Sequence, residues 1–162
     1  MMITVLLACS VAAMAGYLIY LQRRLVIYEK QQSTRNNSLP LQAYERLILL
    51  TDRIALPNLI SRNPADAISA RELCALYTKT IREEFDFNVT QQMYIQPSSW
   101  KAVKNLKEKN LQIINQLTQQ LPEQASGLDL QKAILQYLMA NPAAALHELV
   151  AEALSYEAKQ VL

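Results

Sequence analysis

ITVLLACSVAAMAGYLIYL, residues 3–21, is a run of 19 residues without a charge. As a helix rising 1.5 Å per residue it measures roughly 28 Å, close to the ~30 Å hydrocarbon core of a bilayer. The run predicts a single transmembrane helix with the rest of the chain on one side. Its flanks set the expected orientation. Arg23, Arg24, Lys30 and Arg35 follow the run, and only Met1 and Met2 precede it. Positive charge stays cytoplasmic, so the N-terminus is expected outside and the C-terminal body inside. Tyr17 and Tyr20 fall near the charged end, at the headgroup level that amphipathic rings favour. A cleaved signal peptide, cut at Ala13-Met14-Ala15, is the rival reading. It lacks a basic leader, and residues 16–21 stay apolar past the cut. A lipoprotein reading of Leu6-Leu7-Ala8-Cys9 lacks the leader too.

Two patterns on this helix point to a helical partner. Ala8, Ala12 and Gly16 repeat every four residues, a ridge of small side chains that lets another backbone approach. Alanine is also simply common in such helices. Leu18, Leu21, Leu25 and Tyr28 follow at 3-4-3 spacing, the seam of a short coiled coil. The helix is therefore expected to run to about Gln32, beside either a second copy or another membrane protein.

Working outward, the whole sequence of 162 residues contains two glycines. Hairpins, phosphate loops and dinucleotide folds need glycine for positive φ or close backbone approach, so those classes are excluded. Ala, Leu, Gln, Glu and Lys dominate, which predicts an all-α body. The expected organisation is an anchor with a juxtamembrane extension over 1–30, a linker over 31–40 and a bundle of about five helices over 41–162. A net charge of +2 is too small to imply nucleic acid by itself. Cys9 and Cys74 cannot pair if one lies in the bilayer and the other in a cytoplasmic helix, which suits a reducing compartment.

QQSTRNNSLP (31–40) predicts a helix break. Leu41, Tyr44, Leu47, Ile48 and residues 51–54 then give a helix over about 40–55. Leu47-Ile48-Leu49-Leu50 is apolar nearly all round, so this helix is expected to be central. Pro57 stops it, and Asn58 to Arg62 predicts a short turn or one-turn helix before the break at Asn63-Pro64. Ser69-Ala70-Arg71-Glu72 is a capping box. The helix it opens, which could already begin near Asp66, should turn Leu73, Leu76, Tyr77, Ile81 and Phe85 inward and bury Cys74. DFNVTQQMYIQPSS (86–99) follows no helical period. It predicts a structured loop pinned to the bundle by its aromatics, with room for a helical turn, whose Phe87, Gln91, Gln92 and Tyr94 are candidate recognition residues. The plainer alternative is a connector whose aromatics finish the core.

Ser98 or Ser99 should cap a fourth helix ending at Leu121, with Trp100, Val103, Leu106, Ile113, Leu117 and Leu121 buried. Lys101, Lys104, Lys107 and Lys109 load its first half. Lysine near a helix N-terminus opposes the macrodipole by a few tenths of a kcal/mol each. An anionic surface, a lipid headgroup above all, would reward the cluster, whereas the plainer reading is a solvated face. Gly127 reads as a turn and Asp129 as the cap of a fifth helix. Asn141-Pro142 reads as the start of a sixth, carrying Leu146, Leu149, Val150, Ala153, Leu154 and Val161.

Residues 41–47 (LQAYERL) and 81–85 (IREEF), with Asn88, Gln91-Gln92, Tyr94, Ser98 and Trp100, carry a resemblance. The chain resembles a family of small, single-pass, uncharacterised membrane proteins of Bacteroidota. The resemblance implies a bacterial inner-membrane setting and supplies no activity or site residues.

The sequence holds no complete catalytic or metal-binding motif. His147-Glu148 opens like a zinc-protease helix, but Ala151 stands where a second His is needed. His147 is the sole histidine, and paired Glu-x-x-His ligands of a di-metal bundle are absent. No enzyme, cofactor or small-molecule substrate is expected. The sequence supports a membrane-anchored helical adapter or accessory subunit acting through protein contacts at the cytoplasmic face. The alternative is a lipid- or nucleic-acid-binding module using the basic face of helix 98–121.

Overall fold

The computed structural model describes the backbone of residues 2–65, 67–141 and 146–161, and their side chains outside 1–13 and 28–37. Six α-helices and one 3₁₀-helix are present among the described residues. In order they are α1 (Met2–Ile54), α2 (Leu56–Arg62), α3 (Ala70–Phe87), the 3₁₀-helix (Val89–Met93), α4 (Pro97–Gln120), α5 (Gly127–Ala140) and α6 (Leu146–Val161). The all-helical expectation holds. The chain divides into two compact units, Met1–Leu39 and Pro40–Leu162.

The expected transmembrane anchor is corrected. Among the described residues, no helix is long and apolar enough to cross a membrane. Of the run 3–21, the side chains described are those of 14–21. Eight residues cover about 12 Å of helix, far short of a ~30 Å span, and Gln22, Arg23 and Arg24 follow at once. The single-pass topology, the signal anchor and the inner-membrane location with its N-terminus outside all rested on that anchor and fall with it. The side chains of Ala8, Cys9, Ala12 and Tyr28 lie outside the described residues, as does Asp66.

The helix break expected over 31–40 does not occur. The backbone stays helical from residue 2 to 54, with Pro40 inside the helix. Asn, Ser and Thr lower helix propensity by less than about 0.7 kcal/mol each. One proline removes a single N–H bond without dissolving the turns on either side.

Within the second unit, residues 40–54 bury one face and not the whole circumference. Ala43, Tyr44, Leu47, Leu50, Thr51 and Ile54 are buried, whereas Leu49 is 51% exposed. The helix stops at Ile54, and Pro57 occupies the first turn of α2. The buried residues of α3 are Leu73, Tyr77, Ile81 and Phe85, a strict four-residue repeat after Ala70. Leu76 falls off that row and is 40% exposed. α4 packs against α3, α5 and α6, through a row that includes Val103, Leu106, Ile113 and Ile114. Buried Leu130 and Ile134 of α5 and Val150, Leu154 and Ala158 of α6 complete the core. Each large apolar side chain fully withdrawn from water contributes about 1.5–3 kcal/mol. Leu149 and Ala153, expected inside, are exposed because α6 buries only its four-residue row.

Polar groups tie distant elements together. The buried Asn110 amide of α4 donates to the carbonyl of Ile54 at 2.8 Å, satisfying the last turn of α1. Gln131 of α5 donates to the carbonyl of Asn63 at 2.9 Å and to the Tyr77 hydroxyl at 3.0 Å. Burial raises the Tyr77 pKa, and the Gln131 amide opposes that rise.

α3 and α5 start side by side. Each opens with a capping box, Ser69 with Glu72 and Ser126 with Asp129. The two caps pair as an antiparallel bridge. The N–H of Ala70 donates to the carbonyl of Ala125 at 2.9 Å, and that of Gly127 to the carbonyl of Ile68 at 2.8 Å. Gly127 is thus the first residue of α5 and not a turn residue, and Ser126, three residues before Asp129, is the cap. A Cβ on Gly127 would lie 3.1 Å from both the Cβ and the carbonyl oxygen of Ala65 and 3.2 Å from Cγ1 of Ile68. Close approach, not φ, favours glycine there: a Cβ would make its neighbours give by a few tenths of an ångström. Asn141 proves to be the C-cap of α5. Pro142, the other half of the expected start of α6, lies outside the described residues.

Two stability outcomes follow. Gly127→Ala should lower stability by about 1–2 kcal/mol in denaturant melts, because crowding against the Ala65 backbone outweighs alanine's better helix propensity. Backbone and hydroxyl donation from Ser69 lowers the Glu72 pKa below 4.5. The Ser126 hydroxyl and N–H, with help from Lys132, lower Asp129 below 3.8. Depressed carboxyl pKa values contribute stability that is complete above the unfolded pKa and is lost as pH falls through the folded one. The thermal midpoint should therefore drop below about pH 4.5, and less so in the Glu72→Gln, Asp129→Asn double variant.

Candidate functional site

The first candidate surface lies on α1 in the unit Met1–Leu39. Met14, Tyr17, Leu18, Ile19, Tyr20, Leu25, Val26 and Ile27 are each 54–63% exposed. A helix that is apolar on all sides is ordinarily buried. At 100° per residue these side chains form two faces. Met14, Leu18, Leu21 and Leu25 share one. Ile19, Tyr20, Val26 and Ile27 share the opposite one, with Gly16 and Arg23 along its midline. The small-residue ridge, whose described member is Gly16, therefore does not continue into the leucine seam. It lies on the other side of the helix. A Cβ built on Gly16 would meet nothing within 4 Å.

The second surface belongs to the unit Pro40–Leu162. The segment expected as a structured loop holds a helical turn: Asn88 caps α3, and a 3₁₀-helix follows. The Asn88 amide donates to the carbonyl of Glu84 at 2.9 Å, and the N–H of Gln91 to the carbonyl of Asn88 at 3.0 Å. Gln91 is half-buried and Gln92 exposed. Phe87 is 75% exposed, Met93 70% and Tyr94 38%, so these side chains do not pin the segment to the core. Ile95 does. Two shallow grooves of about 290 and 230 Å³ flank Phe87 and share Arg53 and Glu84. Leu49 and Arg46 line the second. Arg53 and Glu84 pair at 3.1 Å. The patch has an apolar centre, Phe87 with Leu49, and a charged rim of Arg46, Arg53 and Glu84.

A sequence profile built from one family matches residues 1–161. The chain belongs to the family of unknown function DUF7935. The match speaks neither to membrane proteins nor to Bacteroidota, so only the uncharacterised family behind the resemblance is shown. No curated protein and no solved structure matches this DUF7935 chain.

The lysines of α4 do not form one free face. Lys101 and Lys104 are exposed and Lys109 is half-buried. Lys107 is 17% exposed, pairs with Glu108 at 2.9 Å, and holds its ammonium 4.3 Å above the Phe85 ring. Trp100 stacks on the same ring with centroids 5.0 Å apart. Residues 100 and 107 thus grip Phe85 from two positions one heptad apart, and Lys107 is part of the α3–α4 joint.

The polar cluster nearest to chemistry is built on Glu157 of α6. One carboxylate oxygen accepts from the Ser99 hydroxyl at 2.6 Å and the Tyr44 hydroxyl at 2.9 Å. Burial raises the Tyr44 pKa; the Gln96 N–H, 3.4 Å from the hydroxyl, pulls it down and Glu157 pushes it up. Tyr44 therefore stays protonated and donates. The arrangement docks α6 on α1 and α4, and no sequence pattern announces it because its members are 113 and 58 positions apart. His147, half-buried, has Glu148 at 4.0 Å. Among the described residues, no three His, Cys, Asp or Glu side chains are placed to hold a metal. Cys74 is a free, half-buried thiol 3.5 Å from the Asn115 side-chain oxygen. A groove of about 580 Å³ beside Leu121 and Asp129 is lined mainly by solvated or capping groups.

The lysines should separate in mutagenesis. Lys107→Ala loses packing and cation–π attraction and should destabilise by about 1 kcal/mol. Lys101→Ala and Lys104→Ala should each stay within about 0.5 kcal/mol of the parent in the same melts.

Proposed function

We propose that this protein is a helical adapter or accessory subunit that works through protein–protein contacts and performs no chemistry of its own. The observation that supports this most is the α1 surface over residues 14–27. Eight large apolar side chains there are more than half exposed. Soluble monomers rarely present contiguous apolar patches beyond a few hundred Å². Their burial by a partner contributes about 25 cal/mol per Å² before association costs. Two opposite apolar faces on one helix suit two simultaneous contacts, which is what an adapter needs. The Phe87–Leu49 patch supplies a further contact of mixed apolar and charged character. The Bacteroidota origin implied by the REEF…N…QQ.Y stretch stays with this proposal. The alternative, an anionic lipid or nucleic-acid contact through α4, draws on the exposure of Lys101 and Lys104.

The test is site-specific photo-cross-linking in intact cells from position Val26, with position Lys104 as comparison. A reproducible, stoichiometric partner at Val26 is expected. Its yield should fall roughly tenfold with Ile19→Ser on the same face, matching about 1.4 kcal/mol of lost burial. No product at Val26, with salt-sensitive anionic ligands captured at Lys104, would replace the adapter reading by the alternative.

A further inference from the structure

We infer that the face bearing Met14, Leu18, Leu21 and Leu25 binds a second copy of this chain, parallel and in register, as a two-stranded coiled coil. The inference rests on the adapter reading and assigns one of its two faces. Helix continuity carries it first. Because the backbone remains helical from residue 2 to 54, one heptad register can be followed without a break. Placing Leu18 and Leu25 at position a puts Met14 and Leu21 at d. The same register assigns Val11 to a and Leu7 and Tyr28 to d from the sequence alone. Seven consecutive seam positions from 7 to 28 are then apolar, reaching the ~3–4 heptads that a coiled coil needs. Gln32 and Arg35 end the apolar seam. Of the described seam residues, Met14, Leu18 and Leu25 are 61–63% exposed and Leu21 is half-buried, so most of the seam is open to a partner.

Charge then selects the occupant and its direction. In a parallel, in-register pair each g residue faces the e residue five positions on in the other chain. Arg24 occupies g and Glu29 occupies e. They are five apart, so each dimer gains two oppositely charged pairs across the seam. Shifting one chain by a heptad sets Arg24 against Gln22 or Asn36. Reversing one chain sets g against g, where Ser10, Tyr17, Gln31 and Ser38 offer no acidic partner. Only the parallel, unshifted copy matches both charges. Arg24 already makes an interaction within its own chain, and Glu29 of the second copy would share or replace it. The opposite face, with Ile19, Tyr20, Val26 and Ile27, stays open for the different partner of an adapter.

The test uses the full chain carrying Cys9→Ser and Cys74→Ser, purified in a non-ionic detergent. Leu21→Cys, at d, should oxidise to an interchain disulfide at least tenfold faster than Ile27→Cys on the far face. In the chain without added cysteines, Arg24→Glu should weaken self-association about three- to tenfold, as two surface pairs turned repulsive would. Adding Glu29→Arg should restore it. Equal oxidation at both positions, a monomeric full chain, or a double variant as weak as the single would overturn the inference. A chain that fails to dimerise yet keeps a different protein cross-linked at Val26 overturns this inference alone. A dimer with no partner at Val26 overturns the adapter reading alone.

Discussion

The second unit depends on the antiparallel pairing of two helix starts. Ser69 and Ser126 each satisfy their own helix, and between them Ala70 and Gly127 donate across to Ala125 and Ile68. The first N–H groups of a helix have no intrahelical acceptor. Here they are satisfied by capping side chains and, at Ala70 and Gly127, by the neighbouring segment. Fixing both starts at one point sets where α3 and α5 begin relative to each other. The rows Leu73–Tyr77–Ile81 and Leu130–Ile134 then pack from a common origin. Gly127 permits the approach; a larger residue would separate the two starts.

Away from that junction, the unit is held by apolar rows and a few long-range polar bonds. Asn110, Gln131 and Glu157 each serve a backbone carbonyl or hydroxyl on another element. Among the described residues, no buried side-chain nitrogen or oxygen lacks a partner. A buried polar group left unpaired costs about 1–3 kcal/mol, so full pairing lets these bonds set register between elements. One oxygen of the Glu157 carboxylate accepts from both the Ser99 and Tyr44 hydroxyls and so joins three helices at one point.

Much of the bundle was legible in the sequence because its signals are local. The Ser69–Glu72 box, the rows of α3 and α4 and the stop at Pro57 follow from spacings within a few residues. The second box was misread by three positions, since Ser126-Gly127 has the composition of a turn and only the distant Ala65 explains the glycine. The 3₁₀-helix was foreseen only as a helical turn without bounds, because its three-residue period is too short to show in five residues. The exposure of Phe87 and Leu49, and the engagement of Lys107 with Phe85, depend on packing between elements that no one-dimensional pattern contains. The bilayer-length reading of 3–21 was overturned, and the helical continuity across 31–40 was missed. A count of breakers treats Asn, Ser and Pro as stops, whereas a helix integrates small penalties over many turns.

Pro40 gives the two units a natural seam of synthesis. It stands at the first residue of the second unit, inside a helix where it cannot donate to the preceding turn. A chain beginning at that residue would place proline in the opening turn of its first helix, where the missing N–H would have had no acceptor. The proline that the long helix carries in its interior is therefore also fit to start a shorter one. Gene fusion, alternative initiation or proteolytic trimming at this point would leave the bundle with a well-formed beginning.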